Sequence, residues 1–397
     1  MTTTDKQTRE SLPIDETMQH LIDSGTIPGL AYQIEKDGVC YSSALGIADA
    51  SGSPTRTDTI FRIASLSKPI AAAATMQLIE RGTITLDLAV EELLPELRSQ
   101  RVLRSLDSEL DDTVPLRRPI TVEDLLTFRM GTGIVLAPPG TFPIQRATDE
   151  SNLGIGPPDP RHMPEPDAWM QRFSTLPLVY QPGDEWMYVT SSEVLGVLLA
   201  RAAGIPLPEL LEELVFSPLG MVDTGFWVPP EKVDRFTSQF VTDPENDELI
   251  ESDSPGDGAW NQPPAFPSAG GGLVSTIGDF SNFARMLLNR GVHNGKSILS
   301  ASSIDLMTRN QLTDRQRKSG QLILGEGNGW GYGMAVRVEE SSVPGTPGSY
   351  GWNGGLGTTW INDPARSMVA IFFTQLQFES AEMPESARKF LKLVYQS

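Results

Sequence analysis

Residues 65 to 81 constrain this chain more than any other stretch. Behind Ser65-Leu66-Ser67-Lys68-Pro69 runs Ile70-Ala71-Ala72-Ala73-Ala74-Thr75-Met76-Gln77-Leu78-Ile79, almost free of polar interruption. Alanine and unbranched residues are strong helix formers, and Gly82 supplies a stop, so a helix ending near Arg81 is predicted. With so little polar surface, that helix is expected to be buried. A serine three residues before a lysine puts both side chains on one helix face. It also leaves the serine beside unpaired N–H groups at the positive end of the helix dipole, which suits an oxyanion. Such a layout can serve an activated nucleophile. A solvated lysine in a first helical turn has the same four-residue signature, so the remaining chain has to decide.

At 397 residues the chain can bury a large core and is long enough for two domains. A net charge of -20 argues against nucleic acid or an anionic membrane as a partner. The single cysteine, Cys40, excludes an internal disulfide and a thiolate metal cluster. It stands in the strand-like run Val39-Cys40-Tyr41 and is expected to be a buried structural thiol. Met1 to Arg9 lacks the apolar core of a signal peptide, and no run reaches the roughly 18 apolar residues of a membrane span. A cytoplasmic protein, monomeric or a small homo-oligomer, without cofactor or metal, is the expectation.

In chain order, Ile14 to Ser24 has helical spacing and stops at Gly25. Gly29 to Leu45 reads as a β-hairpin turning at Asp37-Gly38. Between Ile84 and Gly270, helical segments (Leu86–Leu97, Thr121–Arg129, Ser192–Ala203, Leu207–Val215) alternate with proline-rich loops. Residues Gly131 to Gln181 are dense in Pro and Gly, with one short helix near Asp167 to Phe173, and such a stretch is expected to wall a site. Asp243 to Asp257 is acid-rich without the spacing of a calcium loop and reads as a solvated loop. A helix over Ile277–Asn289, strands over Tyr332–Val338, Thr358–Asn362 and Met368–Gln375, and a helix over Ser386–Tyr395 follow. The fold class is therefore α/β (α+β): residues 1–85 and 275–397 form a sheet domain, and residues 86–274 a mostly helical insertion.

A serine nucleophile needs a base. His20, His162 and His293 fall in no pattern that pairs with a serine, and the Gly-x-Ser-x-Gly elbow is absent. Lysine or tyrosine remains. Lys68 can act if burial lowers its pKa. Tyr188, in Gln181-Pro182-Gly183-Asp184-Glu185-Trp186-Met187-Tyr188-Val189-Thr190, follows a Pro-Gly turn and enters a helix; a core-packed tyrosine would look alike. Near the end, Ser349-Tyr350-Gly351-Trp352-Asn353-Gly354-Gly355-Leu356-Gly357 fits either a sheet edge that a ligand approaches closely or a glycine-rich turn.

Together these motifs resemble the serine β-lactamase and penicillin-binding-protein superfamily, and within it the class C β-lactamases and family VIII carboxylesterases. Ser65-Leu66-Ser67-Lys68 with its Phe-Arg-Ile-Ala lead-in, the Tyr188-Val189-Thr190 box, Ser268-Ala269-Gly270-Gly271-Gly272 and Trp352-Asn353-Gly354 keep the family order. The resemblance implies the β-lactamase/transpeptidase fold, an antiparallel sheet flanked by terminal helices. It makes Ser65 the nucleophile, Lys68 its activator and Tyr188 the shared base and proton donor. The backbone N–H groups of Ser65 and Gly355 would form the oxyanion hole. Thr190 replaces the expected asparagine, and Trp352 the expected lysine, so a cation for a substrate carboxylate is replaced by an apolar face. The implied activity is carboxylesterase action on short- to medium-chain esters through an acyl-enzyme. Phe128, Trp260, Trp352, Asn353 and Gly354 would line the substrate pocket. Acyl transfer to an alcohol or amine, β-lactam or amide hydrolysis, and a protein that is acylated without turnover are the alternatives.

Overall fold

One antiparallel sheet ties the two ends of the chain together in a computed structural model that describes residues 3–154 and 156–396. Helix α1 (Thr3–Asp23) leads into β1 (Gly29–Lys36) and β2 (Val39–Gly46). Asp37 and Gly38 between them both take positive φ, at 51° and 79°, the two-residue turn that matches strand twist. The remaining strands come from the C-terminal part: β3 (Asn328–Trp330), β4 (Ala335–Arg337), β5 (Tyr350–Gly354), β6 (Thr358–Asp363) and β7 (Met368–Thr374). Their order is β3-β4-β5-β6-β7-β1-β2, so β7 and β1 join the two parts edge to edge.

Strand β7 explains why an unbroken apolar run was needed there. Successive side chains point to opposite faces. Ile371 and Phe373 enter the large central core, whereas Met368, Ala370 and Phe372 meet Met18 and Leu21 of α1 and Phe390, Leu391 and Val394 of the last helix. Both faces are covered, so alternation with polar residues has no place.

Helix α2 (Ser67–Glu80) is buried from Ser67 to Leu78, as its composition requires. Helix α3 (Thr190–Ala203) is buried from Thr190 to Leu199 and ends at Gly204 in the left-handed region. Helices α4 (Ile277–Leu288) and α5 (Glu385–Gln396) cover opposite faces of the sheet. The central core takes in Ala31 and Phe373 from the sheet as well as Leu125, Leu198 and Leu214 from the middle of the chain. Among the described residues no single helix is long and apolar enough to cross a membrane.

Several expectations need correction. Leu86–Leu97 is not one helix but two short 3₁₀ turns, Val90–Glu92 and Pro95–Leu97, because Pro95 lacks an N–H and clashes with the preceding turn. The helix expected over Thr121–Arg129 is shorter, Val122–Leu126, opened by a Thr121/Asp124 capping box. Cys40 is exposed, not buried, because β2 is an edge strand. The acidic stretch is no mere solvated loop: Leu249–Asp253 pairs with Gln239–Thr242, and Asp253 ion-pairs with the buried Arg62. That partner lies 191 residues earlier, beyond the reach of local composition.

Candidate active site

The segment before α2 is clamped from several sides. Residues Ala64–Leu66 form a 3₁₀ turn, and Ala64 sits at φ 44°, a strained conformation for a non-glycine residue. The Ile63 amide donates to the Leu273 carbonyl at 3.0 Å, and the Ser67 hydroxyl donates to the Ala64 carbonyl at 2.7 Å. The Arg62 guanidinium is held by Asp253 and by the Thr237 carbonyl at 2.7 Å, between the Phe236 and Trp260 rings. Gly354 of β5 completes the clamp. A Cβ there would lie 2.3 Å from the Ile63 carbonyl oxygen, so only glycine lets the strand approach.

This clamp aims Ser65 at two partners. The Lys68 ammonium donates to Ser65 Oγ at 2.8 Å and to the Gly270 carbonyl at 2.5 Å. It is buried and stands 4.7 Å over the Tyr188 ring. Burial lowers the Lys68 pKa to about 7, against the pull of the Glu193 carboxylate. The Tyr188 hydroxyl is hydrogen-bonded to the Ser65 side chain and accepts the Trp352 indole N–H at 2.6 Å. Burial pushes the phenol pKa upward, and those two bonds work against the rise. Val189, next in the chain, takes φ 91° to turn from Tyr188 into α3. Two strained residues thus flank the serine and the tyrosine, a common mark of functional sites.

Sequence reasoning missed Glu193. It lies in the first turn of α3, buried, and accepts from the Ser268 hydroxyl at 2.8 Å and from the Gly270 amide. Gly270 therefore bridges the pair, its carbonyl on Lys68 and its N–H on Glu193. Burial raises the Glu193 pKa, whereas Ser268, Lys68 and the Gly270 amide lower it, in that order. Its Oε2 has no hydrogen-bond partner. The missed signal was an acidic residue five positions after the tyrosine, within a run otherwise apolar enough to be buried.

The surrounding cavity has a volume of about 480 Å³, within the range of small-molecule sites. Ser65, Lys68, Tyr188, Glu193, Trp352 and Gly355 meet there. Asn353 also lines it, and Pro157, Pro158 and Pro160 of the proline-rich stretch form part of its wall. Three anticipated pocket residues do not line it. Phe128 is buried behind Tyr188, packed on Trp186 and Trp330, because its backbone turns inward at φ 59°. Trp260 stacks on Arg62 and donates its indole N–H to the Gly272 carbonyl. Gly354 faces the Ile63 carbonyl. None of the three histidines reaches the cavity. Among the described residues no group of three or more His, Cys, Asp or Glu side chains is placed to hold a metal ion.

An antiparallel sheet closed by helices from both chain ends, with a serine–lysine helix packed beneath its β5 edge, is the β-lactamase and transpeptidase fold. The chain belongs to the Beta-lactamase family, whose family model matches residues 14–393. It is 35% identical over 370 residues to Protein Rv1367c of Mycobacterium tuberculosis (strain ATCC 25618 / H37Rv), covering 90% of this chain and 88% of that one. Esterase EstB of Burkholderia gladioli is 30% identical over 364 residues, covering 87% and 85%. The solved structure of EstCE1, described as a hydrolase with promiscuous acyltransferase activity, superimposes with a TM-score of 0.80 at 26% identity, covering 98% and 99%.

Proposed function

We propose that this protein is a serine hydrolase that cleaves short- to medium-chain carboxylic esters through an acyl-enzyme. The observation that carries the reading is Ser65 Oγ held between Lys68 Nζ at 2.8 Å and the Tyr188 hydroxyl, with the Lys68 pKa lowered toward neutrality by burial. Ser65 attacks the ester carbonyl while its proton passes to Lys68 and Tyr188, acting as a paired base. The amides of Ser65 and Gly355, both in the cavity wall, receive the oxyanion. Tyr188 returns a proton to the departing alcohol. Water then attacks the acylated Ser65 along the reverse path, freeing the acid.

Trp352 supports ester specificity. It offers an apolar wall instead of a cation, and its N–H stabilises negative charge on the Tyr188 oxygen. The likeness to EstB points the same way. Hydrolysis of a p-nitrophenyl ester chain-length panel, run beside nitrocefin, tests the reading. Ser65→Ala is expected to lower turnover on the order of 10⁶-fold, as loss of a serine nucleophile does elsewhere. Unchanged ester hydrolysis in that variant, or nitrocefin turned over faster than every ester, overturns it. A second reading, acyl transfer, is favoured by the likeness to EstCE1; ester products formed with added alcohols would establish it.

A further inference from the structure

Beside the catalytic cavity lies a second chamber of about 490 Å³. The two share Ile323, Trp352, Asn353 and Ala381 in their walls, so they adjoin along β5. It spreads over the sheet face that α5 covers, with Leu324, Ile361, Met383 and Leu391 as apolar wall. Three polar atoms in this wall are buried without hydrogen-bond partners. Two are hydroxyls: Ser349 Oγ, and Thr359 Oγ1 on a residue only 2% exposed that pairs with Asn353 across β5 and β6. The third is Arg337 Nε, on a residue 6% exposed.

Arg337 is the most informative. Its Nη1 donates to the Glu326 carbonyl at 3.2 Å and meets the Ser341 hydroxyl. Among the described residues no carboxylate forms an ion pair with it, in contrast to the more deeply buried Arg62. A buried guanidinium with a free donor is costly unless an anion satisfies it. Glu326 and Glu382, the carboxylates in the chamber wall, are exposed, and the Glu326 carboxylate takes the Ser342 amide and hydroxyl. The Arg337 amide donates to the carbonyl of Ser349, the residue before β5, so its backbone lies about 10 Å along the sheet from Trp352.

We propose that this chamber binds the carboxylate end of an elongated apolar ester, with Arg337 as the receiving cation and the scissile carbonyl at Ser65. The proposal rests on the esterase reading and names its substrate class: esters carrying an anionic group at the far end of an apolar chain. The cation absent from position 352 is thereby supplied farther along the sheet, where only a long substrate reaches it.

The test compares p-nitrophenyl monoesters of straight-chain dicarboxylic acids, from succinate to dodecanedioate, with the same compounds capped as methyl esters. Wild type is expected to prefer the free acids at least tenfold in kcat/KM at intermediate chain lengths, the scale of a charge-assisted contact. Arg337→Gln should abolish that preference and leave the capped esters within about twofold. Met383→Glu, which places a carboxylate in the same chamber, should do likewise if Arg337→Gln does not fold. Equal treatment of free and capped esters by wild type at every length overturns the proposal, as does a preference that survives both substitutions. Calorimetric titration of wild type and Arg337→Gln with free azelate separates the two readings. Arg337-dependent azelate binding without ester turnover keeps the chamber and sinks the esterase. Capped-ester turnover without azelate binding does the reverse.

Discussion

Lys68 and Glu193 are buried together at the heads of α2 and α3, bridged by the peptide groups of Gly270. Burial favours the neutral form of each, and each favours the charged form of the other. A lysine whose pKa is lowered to about 7 is protonated below that pH and free to accept the Ser65 proton above it. Ester turnover should therefore rise as pH increases through about 7. Glu193→Gln removes the carboxylate that holds the proton on Lys68, so the acidic limb of the kcat/KM profile should move to lower pH. A carboxylate that only braced the fold would leave the limb in place and change amplitude alone, which makes the pH profile the deciding measurement. Trp352 teaches a related lesson. Read as an apolar replacement for a cation, it is also the donor that holds the Tyr188 hydroxyl.

At the scale of elements, the short turn before α2 is steadied by a hairpin far from it in sequence. Asp253 ends one arm of that hairpin and faces Arg62, whose side chain is fully buried. Asp253→Ala leaves the guanidinium desolvated and unpaired, at a cost of about 3–5 kcal/mol. Denaturant unfolding should show that loss. Activity should fall with it even under fully folding conditions, because Arg62 lies three residues before Ser65. Stability within 1 kcal/mol of wild type would contradict the view that this pair anchors the turn that carries Ser65. In sequence the hairpin looks like a solvated acidic loop because charge density is visible locally, whereas a single carboxylate's distant partner is not. Over Leu86–Leu97 the reason is different: the apolar spacing suits a helix, but Pro95 interrupts it.

For the whole molecule, the central core draws on the sheet and on the middle of the chain together, as Phe373 and Leu198 in one cluster attest. Unfolding should accordingly be one cooperative transition, with calorimetric and van't Hoff enthalpies equal; two separated transitions would mean that residues 86–274 fold on their own. What the sequence determined by itself was whatever depends on local pattern. The all-round apolar α2, the turn at Asp37-Gly38 and the order of Ser65, Lys68, Tyr188 and Trp352 were legible because helix, hairpin and motif are written in neighbouring residues. Tertiary structure alone decided the rest. It turned Phe128 and Trp260 away from the cavity, exposed Cys40 at a sheet edge, and brought Glu193 to Lys68. It also left Arg337 Nε buried without a hydrogen-bond partner. Each of these depends on which distant groups share a low-dielectric space, and burial and charge pairing arise only when the chain has closed on itself.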